Sequence, residues 1–244
     1  QYWKEEEILG KQYWEEDMEV PTEIMELDYT KSFKAFLENK TKAGNPFLFW
    51  YGGLEPHRPY SEGIGVQNGV NPDSVKVPAF LPDNSETRRD IADYLFEIEW
   101  FDKHLVNMIA LLEEKGELEN TIIIVTSDNG MPFPRAKANL YEYGTHMPLA
   151  IMWGNKIKAG RTVDDFIGAI DFAPTLLDLA GIEIPDGVTG KSFRNILESE
   201  KEGMIDNERD KIVTAIERHT YCRPAGLPYP VRAIRKGNWT YLRN

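Results

Sequence analysis

Asp128 and Asn129 stand side by side in the run Ser127-Asp128-Asn129-Gly130, directly after the β-branched stretch Thr121–Thr126. A carboxylate beside an amide carbonyl offers two hard oxygen donors. Such a pair suits Ca²⁺ or Mg²⁺ rather than zinc, which favours His and Cys. The same residues also spell an ordinary turn. Lys137 follows, five positions before Glu142, and its ammonium can meet an anionic substrate or simply be solvated. His57 lies between prolines in Glu55-Pro56-His57-Arg58-Pro59. A loop stiffened in this way can hold an imidazole as a proton donor or an anion ligand. His146 and His219 carry weaker signals, and His104, inside a helical pattern, is expected to have a structural or surface role. No nucleophile accompanies these groups. The chain holds no Gly-x-Ser-x-Gly and no Gly-rich phosphate loop, and its one cysteine, Cys222, sits far downstream.

The elements that must position these residues are legible from periodicity. Phe33, Phe36 and Leu37 predict a helix from Tyr29 to about Lys42, stopped at Gly44-Asn45-Pro46. The apolar run Pro46–Tyr51 predicts a strand buried on both faces. After the loop Leu54–Pro82, Asp83 with Glu86 reads as a capping box. The long amphipathic helix it opens would bury Ile91, Leu95, Ile98, Leu105, Ile109 and Leu112 and close at Gly116. Further strands are expected at Thr121–Thr126, Pro148–Trp153 and Asp165–Ile170. A short helix then has Pro174 near its start and Gly181 past its end. Ile212–Ile216, Val231–Arg235 and Trp239–Leu242 read as short strands, the last two joined at Lys236-Gly237-Asn238.

This alternation predicts an α/β fold, a largely parallel sheet sandwiched by helices with a small C-terminal antiparallel sheet. In such folds sites form at the carboxyl ends of strands, so the loops Gly52–Tyr60 and Ser127–His146 are the expected home of the chemistry. The expected organisation is an acidic peripheral segment over 1–28, the α/β domain over 29–200 and a small subdomain over 201–244.

Composition narrows the function classes. With 244 residues and 41% hydrophobic content the chain can bury a sizeable core. No apolar run approaches the roughly 18 residues of a membrane span, and a single cysteine permits no internal disulfide. The net charge of −12 shows no basic face for nucleic acid. Residues 1–28 carry ten acids against two lysines, so most of that charge lies outside the candidate loops. Tyr2, Trp3 and Trp14 sit among those acids and read as part of a surface element or a carbohydrate-facing one.

Taken together, Pro46–Pro59, Thr121–Pro148, Ile170–Ile182 and Glu217–Asn244 resemble the sulfatases of the alkaline phosphatase superfamily, nearest to the heparan N-sulfatase-like bacterial branch. The resemblance covers about Tyr29 to Asn244, and its most specific part is the Ser-Asp-Asn-Gly block followed by the lysine and glutamate. It implies a hydrolase acting on sulfate esters or sulfamates of a sulfated carbohydrate. It further implies a Ca²⁺ cofactor (Mg²⁺ as the variant) and a formylglycine nucleophile, in a periplasmic, extracellular or lysosomal setting. On this likeness Asp128 and Asn129 help bind the metal. Lys137 contacts the sulfate, and His57 contacts the sulfate or assists the leaving group. Arg58, His146, Glu217, Arg218, His219 and Arg232 are the expected substrate contacts.

The departures are informative. Leu54 stands where relatives often carry a second histidine, and His146 stands where many carry arginine. The Cys- or Ser-x-Pro-x-Arg motif that yields formylglycine is missing. Cys222 has proline two residues later but glycine, Gly226, at the arginine position. The N-terminal part of the enzyme, with its nucleophile and its Asp-Asp metal pair, is therefore expected to lie outside this sequence. Two other readings remain: a sulfated-glycan-binding pseudo-enzyme, and a phosphoryl or phosphonate ester hydrolase of the same superfamily. The second commonly carries histidine where Asn129 stands.

Overall fold

Asp28 opens the first helix by accepting the Lys31 backbone N–H at 2.8 Å, which satisfies one of the four unpaired donors at a helix start. The computed structural model describes residues 28–41, 46–219 and 224–243, so the expectations for residues 1–27 and for Cys222 fall outside it. The chain divides into two compact units, Gln1–Leu118 and Glu119–Asn244.

In the first unit α1 (Tyr29–Thr41) buries Phe33 and Leu37. Segment 46–51 runs extended beside it without a strand partner among the described residues. Its side chains alternate as an extended backbone requires. Phe49 packs 4.7 Å from Phe33, Phe47 lies 5.7 Å from Phe36, and Tyr51 stacks on Phe101 at 4.5 Å. Leu48 and Trp50, on the opposite face, are 74% and 84% exposed. The expectation of a strand buried on both faces is therefore corrected: one face is covered and the other is bare.

Beyond α2 (Ile64–Gln67) lies α3 (Ser85–Glu114), a helix of 30 residues. Its cap is Asn84, whose side chain accepts the Thr87 N–H at 2.9 Å. Asp83, the cap expected from the sequence, is instead paired with Arg88. Of the expected stripe Ile91 and Leu112 are buried and Leu95, Leu105 and Ile109 half-buried, but the centre of the buried face lies elsewhere. Ala92, Phe96, Trp100, His104 and Met108 recur at i, i+4 and are buried, whereas Ile98 is 37% exposed. His104 is structural: it is fully buried and hydrogen-bonded to the Thr30 hydroxyl at 2.8 Å through Nδ1. Gly65 brings α2 onto α3 so closely that a Cβ there would lie 2.3 Å from the Ala92 carbonyl oxygen. Asp93 locks this approach by accepting the N–H groups of Gly63 and Gly65 at 2.9 and 2.8 Å.

In the second unit β1 (Ile123–Thr126) leads to the short α4 (Glu142–Thr145). β2 (Leu149–Met152) then returns antiparallel to β1, pairing Ile123 with Met152 and Thr126 with Leu149. Next come α5 (Phe172–Leu179) and α6 (Arg194–Leu197). Phe193, Ile196 and Leu197 form the core here, with Ile151, Phe172 and Leu179 packed against them. The predicted strand Asp165–Ile170 is not formed. Asp165 turns its carboxylate to the N–H groups of Ile205 and Asp206 at 2.9 and 2.6 Å, and a 3-10 turn occupies Ala169–Asp171.

The C-terminal strands β3 (Lys211–Ile216), β4 (Val231–Lys236) and β5 (Trp239–Arg243) make an antiparallel sheet in the order β3-β4-β5, as the sequence predicts. All three ladders among the described residues are antiparallel; one isolated bridge, Val163 with Gly203, is parallel. No helix is long and apolar enough to cross a membrane among the described residues.

A buried ion pair ties the start of α5 to the segment entering β3. Arg209 meets Asp171 at 2.8 Å and donates to the Lys191 and Ser192 carbonyls, while Asp171 also accepts from Gly168 and Lys191. With both side chains about nine-tenths buried, removing one partner strands the other's charge. Arg209→Ala is expected to lower stability by about 3–5 kcal/mol, read by urea denaturation; a loss comparable to that of an exposed pair would contradict this account.

Candidate functional site

Two glycines assemble the loops that follow β1. Gly130 is buried, and a Cβ on it would fall 1.8 Å from the Tyr143 carbonyl oxygen. A Cβ on Gly144 would meet the Asn139 and Ala136 carbonyls at 2.2 and 2.4 Å. Only glycine allows main chain to approach main chain so closely. The segment after β1 is thus pressed onto α4, and Lys137 is held between them by its N–H bond to the Met131 carbonyl at 3.0 Å. Arg135 and Ala138, with φ of 63° and 66°, turn the chain sharply on either side of Lys137.

At the end of β1 the Ser127 hydroxyl donates to the Asn129 carbonyl at 2.9 Å, closing the turn. The Asn129 amide nitrogen donates to the Gly130 carbonyl at 3.1 Å, which leaves Oδ1 as an acceptor. Asp128 is exposed. Both donors fit a hard cation. Calcium takes 6–8 oxygens, and no group of three or more His, Cys, Asp or Glu converges among the described residues. Asp128 and Asn129 can therefore supply only part of a coordination sphere.

Glu142, at the start of α4, does not pair with Lys137. One carboxylate oxygen meets His146 Nδ1 at 2.7 Å and the other meets the Arg235 guanidinium from β4. Arg235 is a functional-site candidate that the sequence reading missed. Its carboxylate partner is 93 positions away in the chain, so no local spacing announces it. Lys137 is half-buried and makes no ion pair among the described residues. The structure thus gathers Asp128, Asn129, Lys137, Glu142 and His146 into adjoining loops. Glu217 and Arg232 pair with each other at the far end of β3 and β4. Arg218 donates to the Gly226 carbonyl at 3.0 Å, and His219 is exposed.

His57 and Arg58 belong to the first unit. His57 donates its N–H to the Leu54 carbonyl at 2.8 Å, and its Nδ1 lies 2.6 Å from the Arg58 carbonyl oxygen. The Arg58 side chain is committed to Asp90 of α3, with bonds of 2.9 and 2.6 Å. Behind this loop Glu55 is buried. One oxygen accepts from the Tyr29 hydroxyl at 3.0 Å, and the other, Oε1, has no hydrogen-bond partner among the described residues. Burial raises the Glu55 carboxyl above its ordinary range. Glu97, also buried, is pushed up to about 7 by burial first and then by the nearby charges of Glu55 and Asp93.

A sulfatase family profile matches residues 2–182.

The chain belongs to the sulfatase family.

It is 40% identical over 112 residues to an N-acetylglucosamine-6-O-sulfatase of Bacteroides thetaiotaomicron, covering 44% of this chain and 20% of that protein. It is 32% identical over 140 residues to the human N-sulphoglucosamine sulphohydrolase, covering 53% and 28%. A structure from the glycosaminoglycan metabolism of Bacteroides thetaiotaomicron superposes with a TM-score of 0.71 at 21% identity, over 87% of this chain and 48% of that one. This last likeness establishes the fold class, the α/β alkaline phosphatase-like fold with its small antiparallel C-terminal sheet. The chain spans less than half the length of each of these relatives.

The buried carboxyls carry a pH signature. Folded Glu97 keeps its proton up to about pH 7, whereas unfolded it would lose it near its ordinary 4.5. Between those values the folded protein binds more protons, so this group's contribution to stability falls as pH rises through the window and levels off above it. Glu97→Gln is expected to flatten that slope and to gain on the order of 3 kcal/mol over wild type above about pH 8. Urea denaturation across the pH series measures it, and an unchanged slope in the variant would refute the assignment.

Proposed function

We propose that the chain serves hydrolysis of sulfate esters or sulfamates on a sulfated amino sugar. The observation that carries the reading is the Ser127–Gly130 turn held by glycine contacts against the Lys137 and Glu142 loop, in a chain of the sulfatase family. Both curated relatives are named for sulfated glucosamine substrates, which supports an N- or O-sulfated glucosamine.

Each residue has a role consistent with its surroundings. Asp128 and Asn129 would hold Ca²⁺ through oxygen. Lys137, a half-buried cation without an ion pair among the described residues, would accept the sulfate oxygens by charge-assisted hydrogen bonds. His57 would hold or move a proton at the ring nitrogen that the Arg58 carbonyl leaves open. Glu142 fixes His146 and Arg235 around the same loop. When present, the metal supplies Lewis-acid charge neutralisation and formylglycine supplies the attacking hydroxyl. No Cys- or Ser-x-Pro-x-Arg motif occurs in the 244 residues, so turnover would require a nucleophile supplied from outside them.

The chain by itself is expected to bind glucosamine 6-sulfate or N-sulfoglucosamine without turning over a chromogenic aryl sulfate in Ca²⁺. Lys137→Ala should weaken the sulfated ligand by at least about tenfold, the value of one charged hydrogen bond, and leave unsulfated glucosamine unaffected. Calorimetry reads the first and absorbance the second. Equal affinity in the variant would sink the sulfate assignment to Lys137, and release of the chromophore would show that the nucleophile is already in the chain.

A further inference from the structure

The orientation of the His57 ring is set by a backbone carbonyl. Nδ1 lies 2.6 Å from the Arg58 carbonyl oxygen. A carbonyl only accepts, so Nδ1 must be the donor and must carry a proton. The neutral ring therefore has its lone pair on Nε2, which accepts a proton in the neutral form and donates one as imidazolium.

What fixes that carbonyl is the side chain on the same residue. The Arg58 guanidinium forks onto Asp90 with Nη1–Oδ1 and Nη2–Oδ2 bonds of 2.9 and 2.6 Å. It also lies 4.6 Å from the centroid of the Tyr60 ring. The Tyr60 hydroxyl donates back to the Pro56 carbonyl at 2.9 Å, closing the loop on its other side. Two parallel bonds define the guanidinium plane as well as its position, and they anchor it to a helix of 30 residues.

Energy distinguishes positioning from stability here. The Arg58 and Asp90 side chains are 38% and 41% exposed, and solvent-exposed pairs contribute only about 0–1 kcal/mol. A pair with bidentate geometry and so little to add to stability is suited to holding a loop in one conformation. We propose that Asp90 is a positioning residue. Acting through Arg58, it holds His57 as the Nδ1–H tautomer and presents Nε2 for chemistry. The value of that presentation rests on the sulfatase reading of His57, while the tautomer itself does not.

The test is nitrogen-15 histidine NMR on the 244-residue chain at a pH where imidazole is neutral. The His57 signals are assigned by their loss in His57→Gln. Wild type is expected to show Nδ1 protonated, the reverse of the usual preference of free histidine for Nε2–H. Asp90→Asn and Arg58→Lys should each lower the Nδ1–H population at least about twofold, with far-ultraviolet circular dichroism and the melting temperature unchanged. Asp90→Glu, which can re-form the fork, should restore part of it. An Nε2–H ring in wild type overturns the proposal, as does an Nδ1–H population unmoved in both Asp90→Asn and Arg58→Lys. Calorimetry with glucosamine 6-sulfate on the same samples separates the two ideas. A confirmed Nδ1–H tautomer together with a His57→Gln affinity equal to wild type would leave the positioning role standing and count against the functional reading.

Discussion

The contact on which the second unit's candidate site depends is main chain against main chain. At Gly130 the space for a Cβ is already filled by the Tyr143 carbonyl, and at Gly144 by the carbonyls of Asn139 and Ala136. Contacts of this kind have no side-chain torsions through which to relax, so they fix one loop on the other more tightly than packed side chains could. A four-residue helix such as α4 has no stability of its own. It exists because Gly130 and Gly144 let neighbouring backbone cover it. Glu142 starts that helix, so its carboxylate inherits the same placement and can meet His146 on one side and Arg235 of β4 on the other. The two glycines thereby bring a distant strand within reach of the loop that carries Asp128, Asn129 and Lys137.

The first unit uses the same device around α3. Gly65 brings backbone onto the Ala92 carbonyl, and Asp93 accepts two N–H groups from the loop that makes the approach. Glu97, one turn further along, shares the buried face but has burial and like charge acting on it. Glu55 has one tyrosine donor and one oxygen without a partner among the described residues. Three carboxyls on or beside one helix face thus meet different surroundings. For Glu97 burial acts first and like charge second, because a buried charge is tolerable only where hydrogen bonds replace water. This layer lies directly behind the His57 loop in sequence, through Glu55, and its protonation belongs to the platform on which that loop is built.

Much of this was readable from residue spacing. The period of Phe33 and Leu37 found α1, the β-branched runs found β1 and β3, and Lys236-Gly237-Asn238 marked the β4–β5 hairpin, where Gly237 has φ of 52°. Ser127–Gly130 read as a turn, and the Ser127 hydroxyl closes it on the Asn129 carbonyl. The misreadings share one cause, the dependence of local pattern on distant partners. Asp165–Ile170 looked like a strand, but Ile205 and Asp206 claim the Asp165 carboxylate and bend the segment. The aliphatic stripe of α3 found Ile91 and Leu112, but it missed that His104, Asp93 and Glu97 are buried with Phe96 and Trp100. Polar residues at core spacing were the available signal. Asp90 and Arg235 had none, since each is defined by a partner more than thirty positions away.

Charge accounting separates the cations that are paired with carboxylates from Lys137, which among the described residues is not so paired. The protein carries −12 overall, an unpromising total for an anionic substrate. Three arginines are engaged with carboxylates, Arg58 with Asp90, Arg235 with Glu142, and Arg232 with Glu217, while Arg135 lies over the Tyr141 ring at 4.6 Å. Each of these pairs fixes geometry at the cost of the cation's availability, because an anionic ligand would have to displace a carboxylate held at close range. Lys137 makes no such pair among the described residues, and sharp turns at Arg135 and Ala138 hold its backbone. An ammonium that meets no competing carboxylate binds an incoming anion without first breaking a bond, so its whole electrostatic gain is available to the ligand. The acidic total is thus compatible with cations that meet no carboxylate: several carboxylates orient arginines, and the half-buried Lys137 has no ion pair among the described residues.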